Sequence, residues 1–304
     1  MSVYAGFDLG GSQLKCGLIN DEGKVLFQDT FETPAKIKDL LPLLKTSWET
    51  LKKEAKKNIT SCGFGFPGIF NLSEQKIYQS PNFPELDLFD LSPALSSIID
   101  IPFYVNNDAN LAAFGEYKLG AGQGVQSLVL LTIGTGIGTG IILDGKLWQG
   151  KCGYAGELGH VPVNPEGDPC LCGSQGCLET EVSAPTIVRN YKDLNKLDEE
   201  VSAEEVYRRA KKGDPEALQV YARAGHFLGV GLAIAINLLN PEKILLGGGV
   251  MKAGDLLLAS ALPAAEERSY TPAFDCCRIE EAALGNTAGF IGAALWSKEQ
   301  SPHF

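Results

Sequence analysis

The sequence predicts an α/β protein built as two related lobes. One observation is a pattern of strand hairpins followed by alternating helix and strand, which occurs twice along the chain. A second is length: 304 residues, 44% hydrophobic and 21% charged, suffice for about two domains that each bury a core. The third is glycine. There are 35, where average usage of about 7% would give roughly 21. They cluster at Gly10-Gly11, Gly63 to Gly68, Gly134 to Gly140 and Gly247 to Gly249, each bordering an apolar, strand-like run. Strand followed by glycine turn brings backbone close to a ligand at strand ends.

The first block reads as strands over Val3–Leu9, Leu14–Ile19 and Val25–Asp29, broken by turns at Gly10-Gly11 and Asp21-Glu22-Gly23. A helix follows over Ile37–Lys57, then strands at Ser61–Phe66 and Phe103–Asn106 and a helix over Ala109–Lys118. The boundary falls near Gly120-Ala121-Gly122-Gln123-Gly124. The second block opens with strands Ser127–Ile133 and Thr139–Leu143 around a glycine turn. Helices Ala184–Asn195, Ala203–Lys212 and Pro215–Leu239 come next, then a strand at Lys243–Leu246 and helices after Gly254 and Gly289. The expected lobes are 1–120, joined by the C-terminal helix 288–304, and 121–287, which carries a metal-binding loop over 160–177.

Composition excludes a disordered segment, a disulfide-stapled mini-protein and a collagen-like repeat. Lys+Arg 26 against Asp+Glu 37 gives a net charge of −11, which repels nucleic acid and anionic lipid. The cluster Lys52, Lys53, Lys56 and Lys57 shares its helix with Glu49 and Glu54 and reads as a solvated face. No stretch reads as the roughly 18 to 20 apolar residues of a membrane span, and the start lacks a secretory signal. Eight cysteines without that signal point to a reducing cytoplasm.

Four constellations carry chemistry. Asp8-Leu9-Gly10-Gly11-Ser12 offers a carboxylate that can hold magnesium through water, then backbone N–H groups for an anion; an ordinary surface hairpin fits the same residues. Gly134-Thr135-Gly136-Ile137-Gly138-Thr139-Gly140 lies between two strands, without a Walker lysine, and fits a phosphate-cradling hairpin or a plain tight turn. Asn106-Asn107-Asp108-Ala109-Asn110 ends a strand and opens a helix, so Asp108 reads as a site carboxylate or a helix N-cap. His160 with Cys170, Cys172 and Cys177 makes a closed Cys₃His zinc set, against the plainer reading of buried free thiols. His226 reads as a core histidine, and His303 lies at the chain end.

Taken together, these motifs resemble the ROK family of repressors and sugar kinases. The matching segments are DLGGS at 8–12, GFGFPG at 63–68, SPNFP at 80–84, NNDAN at 106–110 and IGTGIGTG at 133–140. GELGH at 156–160, CLCGSQGCLE at 170–179 and LNPEKILLGGGV at 239–250 complete the series. The resemblance implies the two-lobed actin-like ATPase (ribonuclease H-like) fold of the hexokinase superfamily, with an active site in the interlobe cleft. It implies transfer of the γ-phosphoryl of ATP, with Mg²⁺, to the 6-hydroxyl of a hexose. Asp108 matches the catalytic base, and Asn82, Asn107, Glu157, His160 and Glu179 match sugar-hydroxyl ligands. His160 matches a residue serving both sugar and a structural zinc, with Cys170, Cys172 and Cys177 completing the metal set. Gly10, Gly11, Ser12, Gly134, Thr135 and Gly136 match the phosphate loops, with Ser12 standing where the family usually has Thr. Gly247, Gly248 and Gly249 match the wall against adenosine.

The segment GELGH…CLCGSQGCLET looks most like that of glucokinases. Kinases for N-acetylglucosamine, N-acetylmannosamine, mannose, allose or fructose are the alternatives, and a ROK transcriptional regulator is the rival class. The expectation is a cytoplasmic homodimer in carbohydrate metabolism (glycolysis), with ATP and a hexose as partners and no nucleic acid or membrane.

Overall fold

The computed structural model describes residues 2–34, 36–71, 73–80 and 84–301. In chain order the elements are β1 (Val3–Leu9), β2 (Gln13–Asn20), β3 (Val25–Glu32), α1 (Ile37–Glu54), β4 (Ile59–Phe66), β5 (Ile69–Asn71), β6 (Lys76–Gln79), α2 (Leu91–Ser96), β7 (Phe103–Asn107) and α3 (Asp108–Leu119). There follow β8 (Leu128–Ile133), β9 (Ile137–Leu143), β10 (Lys146–Leu147), α4 (Leu178–Val182), α5 (Ala184–Asn195), α6 (Ala203–Lys211), α7 (Pro215–Leu239) and β11 (Lys243–Gly247). Last come α8 (Gly254–Arg268), α9 (Thr271–Cys276), β12 (Arg278–Glu281) and α10 (Ala288–Gln300). Two compact units result: Met1–Gln126 with Gly140–Gly156 and Ala282–Phe304, and Ser127–Thr139 with Glu157–Glu281.

The first unit is built on a sheet of order β3-β2-β1-β4-β7, in which β1, β4 and β7 run parallel and β2 and β3 antiparallel. One face buries Phe7, Phe64 and Phe66 against Leu40, Leu44 and Trp48 of α1. Phe7 and Phe64 stack at 4.7 Å. The apolar positions of α1 recur at helical spacing, which is why an otherwise charged segment folds as a helix here. It stops three residues short of the expected Lys57, where Ala55 turns extended. Helix α10 lies on β1 and β4, so close that a Cβ at Gly6 would sit 1.9 Å from the Phe290 carbonyl oxygen. A Cβ at Gly63 would sit 1.9 Å from the Ala293 oxygen. The glycines of GFGFPG thus serve helix-on-sheet packing as well as any ligand.

Glu116 of α3 is fully buried, and its carboxylate accepts from the N–H groups of Ala121 (3.0 Å), Ala283 (3.1 Å) and Leu284 (2.6 Å). Three charge-assisted hydrogen bonds replace its lost hydration. One side chain therefore fixes both the glycine-rich segment after α3 and the approach to α10.

In the second unit β8, β11 and β12 run parallel, with β9 beside β8. The core is the packing of α5, α6, α7 and α8 residues such as Tyr191, Leu228, Leu232 and Leu257 against Val129, Leu131 and Leu246. Helix α7 begins where Asp214 accepts from the Ala217 N–H at 2.9 Å and Pro215 takes the first turn, and ends at Asn240 in left-handed conformation. Among the described residues this one helix is long and apolar enough, by length and composition, to cross a membrane, which corrects the reading that no stretch qualifies. Half of its apolar window is buried within the protein. His226 on the same helix is exposed rather than in the core, corrected because it falls on the solvent face of the 3.6-residue period.

Candidate functional site

In the first unit the carboxyl ends of three parallel strands meet in register. Asp8 of β1 pairs with Gly65 of β4, and Gly65 with Asn106 of β7. Ligands in open α/β sheets sit outside such ends. The β1–β2 hairpin closes through Gly10 N–H to the Gln13 oxygen at 2.9 Å, and leaves Gly11 and Ser12 exposed. Asp8 is half-buried beside the first turn of α10: a Cβ at Gly289 would lie 2.3 Å from its carboxyl carbon. Burial pushes the Asp8 carboxyl up to about 6, with the Lys15 charge opposing.

At the end of β7, Asn107 and not Asp108 caps α3: its side-chain oxygen accepts from the Asn110 N–H at 3.0 Å. Asp108 is the first helical residue, its Oδ1 accepting from Ala109 N–H at 2.8 Å. The Asn107 amide also donates to the Gly68 oxygen at 3.0 Å, tying the helix start to the turn after β4. Gly65 allows this, since a Cβ there would meet the Asp108 Cα at 3.3 Å. Asn82 lies outside the described residues.

In the second unit the parallel neighbours β8 and β11 end side by side, Gly247 opposite Thr132. Two glycine clusters therefore share one sheet edge. The turn Gly134, Thr135, Gly136 closes through Gly134 N–H to the Gly136 oxygen at 2.9 Å. Glu179, in the first turn of α4, accepts from Ile137 N–H at 2.8 Å, and a Cβ at Gly136 would strike its carboxylate at 2.4 Å. Gly248 has φ +90, and a Cβ there would sit 2.3 Å from the Ile133 oxygen, whereas Gly249 faces open space.

Glu157 caps and His160 ends a short 3₁₀ turn, with His160 Nε2 3.9 Å from a Glu157 oxygen. Burial raises the Glu157 carboxyl, His160 opposing and Glu179 adding to the rise. The other ring nitrogen, Nδ1, is 3.6 Å from Cys170 Sγ, while the sulfurs of Cys172 and Cys177 lie 3.6 Å apart. All four ligand atoms fall within 4.8 Å of one another. A tetrahedral zinc with bonds of about 2.3 Å to sulfur and 2.0–2.1 Å to nitrogen has S–S edges near 3.8 Å and S–N edges near 3.6 Å, so the set fits. Turns make it possible: Cys170 N–H reaches the Ser174 oxygen at 2.8 Å, and Gly173 and Gly176 adopt φ +89 and +65. A Cβ at Gly176 would overlap the Asn164 oxygen at 1.6 Å. All eight cysteines are free thiols, and Cys152 stands outside the cluster.

Two residues with no distinctive motif also belong to this architecture. Gln149 accepts from the Asn106 amide at 2.7 Å, and Glu181, buried, joins Asn164 of the cysteine loop (2.7 Å) to Arg223 of α7 (2.7 Å). Single polar residues in a loop or short helix give no periodic signal.

Two units, each built on a mixed sheet whose parallel strands run into glycine turns, define the mixed α/β class of the actin-like ATPases. The chain belongs to the ROK family, whose profile matches residues 4–300. It is 37% identical to a glucokinase from Halalkalibacterium halodurans, over 98% of this chain and 95% of that one. A crystal structure of a ROK family glucokinase from Streptomyces griseus, in complex with glucose and AMPPNP, superposes with a TM-score of 0.85 at 29% identity, covering 98% of this chain and 100% of that chain. A ROK hexokinase from Thermus thermophilus gives 0.86 at 31% identity, with 98% of each chain covered.

Proposed function

We propose that the chain is an ATP-dependent glucokinase that transfers the γ-phosphoryl group to the 6-hydroxyl of glucose. The observation that carries this is Asp108: it stands at the strand-end row of Asp8, Gly65 and Asn106, while Asn107 does the capping. Likeness to a glucokinase along nearly the whole of both chains supports glucose over other hexoses. The hydroxyl ligands are Asn82, Asn107, Asp108, Glu157, His160 and Glu179. Gly10, Gly11, Ser12, Gly134, Thr135 and Gly136 supply N–H groups to the phosphates, Asp8 the outer contact to nucleotide-bound Mg²⁺, and Gly247, Gly248 and Gly249 the adenosine wall. As the sugar oxygen bonds to phosphorus, the bond to ADP breaks and the hydroxyl proton passes to Asp108.

Zinc, held by His160, Cys170, Cys172 and Cys177, would order the loop between Glu157 and Glu179. A closed four-ligand set leaves no position for metal-bound water. With Nδ1 directed to the thiols, the His160 Nε2 is left for a sugar hydroxyl. Thiolate ligands suit a reducing, cytoplasmic setting in glycolysis. A homodimer is part of this reading.

The test is ADP release over a panel of hexoses with ATP and Mg²⁺. Glucose should give the highest kcat/KM, and equal or better turnover of N-acetylmannosamine or fructose would replace this assignment.

The Asp8 carboxyl adds a pH signature. Its folded value near 6 lies above the ordinary range, so protonation favours the folded chain, and this contribution is lost as pH rises through 6. Magnesium-nucleotide binding needs the ionised form. We expect kcat/KM for ATP to fall as pH drops through about 6, and the midpoint to move downward when Mg²⁺ is raised tenfold, because cation and proton compete. Initial rates from pH 5 to 8 at two Mg²⁺ concentrations check this; an acid limb unmoved by Mg²⁺ contradicts it.

A further inference from the structure

Gln149 lies just after β10, at the start of a loop that its own backbone oxygen closes by accepting from Ala155 N–H at 3.2 Å. Two residues beyond Ala155 the chain reaches Glu157. The Gln149 side chain meets Asn106, a residue 1% exposed whose amide therefore must find partners within the protein.

Those partners determine which way each amide points. A backbone N–H can only donate. The Asn107 N–H approaches the Asn106 amide at 2.8 Å, so the atom there is Oδ1, which also accepts from Asn110 Nδ2 at 3.3 Å. Asn106 Nδ2 is left to face Gln149 at 2.7 Å, and Gln149 must present its oxygen. The result is a directional chain from Gln149 Oε1 through the Asn106 amide to the peptide N–H of Asn107, the residue joined to Asp108.

We infer that Gln149 is a positioning residue for phosphoryl transfer: as an obligate acceptor it fixes the Asn106 amide, and through it the Asn107 peptide that leads into Asp108, while the Asn107 side chain keeps its own anchors on Gly68 and Asn110. This rests on Asp108 being the base. Gln149 itself touches no reacting atom. Without its acceptor the buried Nδ2 is unpaired, and the Asn106 amide is free to rotate away from Asn107 N–H. Misplacement of a catalytic group by about 1 Å costs up to about 100-fold in rate.

The test compares Gln149→Leu, which removes the acceptor, with Gln149→Glu, which keeps one, in glucose-dependent ADP release. We expect Gln149→Leu to lower kcat about tenfold or more, with KM for ATP and calorimetric glucose affinity within about threefold of wild type. Gln149→Glu should recover kcat to within about threefold. Gln149→Ala repeats the loss without a branched side chain, in case leucine disturbs the loop. Wild-type kcat in Gln149→Leu and Gln149→Ala, or equal loss in Gln149→Glu, overturns the inference. Asp108→Asn in the same assay separates the two claims. If it is inactive while Gln149→Leu is normal, only the positioning role fails; if it turns over normally, the base assignment and this inference fail together.

Discussion

Asp108→Asn lowers kcat by on the order of 10²–10⁴-fold, the usual contribution of a general base, while glucose affinity measured by calorimetry changes far less. The substitution keeps the volume of the side chain and its Oδ1, so the hydrogen bond to Ala109 N–H survives. What is lost is the basicity. A sugar hydroxyl is a much weaker acid than a carboxylic acid, whose ordinary value is about 3.9, so its proton leaves late, as the bond to phosphorus forms. Ground-state orientation by Asn107 persists, because the Asn107 amide is anchored on Gly68 and its oxygen on Asn110. An Asp108→Asn protein with wild-type turnover, and a melting curve like wild type, places the base elsewhere.

The second large effect concerns the cysteine loop. Purified protein is expected to hold one zinc per chain, and Cys177→Ser to hold almost none. Cys177 is fully buried, and its sulfur also lies 3.3 Å from the His160 oxygen, so it joins the metal set to the turn that carries His160 and Glu157. Structural zinc contributes folding free energy directly. A net loss of about 3 kcal/mol or more lowers the melting midpoint by roughly 5 °C or more at this size. Glucose turnover falls with it, because Glu157, His160 and Glu179 all border the loop. Elemental analysis with a thermal melt reads both quantities. Full activity in zinc-free protein contradicts this account.

How far the sequence discloses the molecule depends on the kind of signal. Strong periodicity and caps made α5 and α7 legible to the residue, since Pro215 and the left-handed Asn240 bracket the latter. The grouping of His160, Cys170, Cys172 and Cys177 was legible because their spacing suits a single metal ion, and the four side chains do come together. β10, β12 and α9 are short or polar and have no periodic pattern to read. The role of Glu116 was hidden, because its partners Ala283 and Leu284 are backbone groups more than 160 residues away. Asp108 was read equally well as a cap. The cap reading falls, since the preceding asparagine takes that place. Gln149 depends on a single acceptor atom, and composition carries no trace of that.

Phosphorus NMR of a mixture of the protein, ATP, Mg²⁺ and glucose tests the central claim most directly. The account requires the γ-phosphate of ATP to reappear as glucose 6-phosphate, in equal amount with ADP, only when glucose is present. Inorganic phosphate formed regardless of sugar, phosphate on another hydroxyl, or ATP left intact with glucose bound would each contradict it.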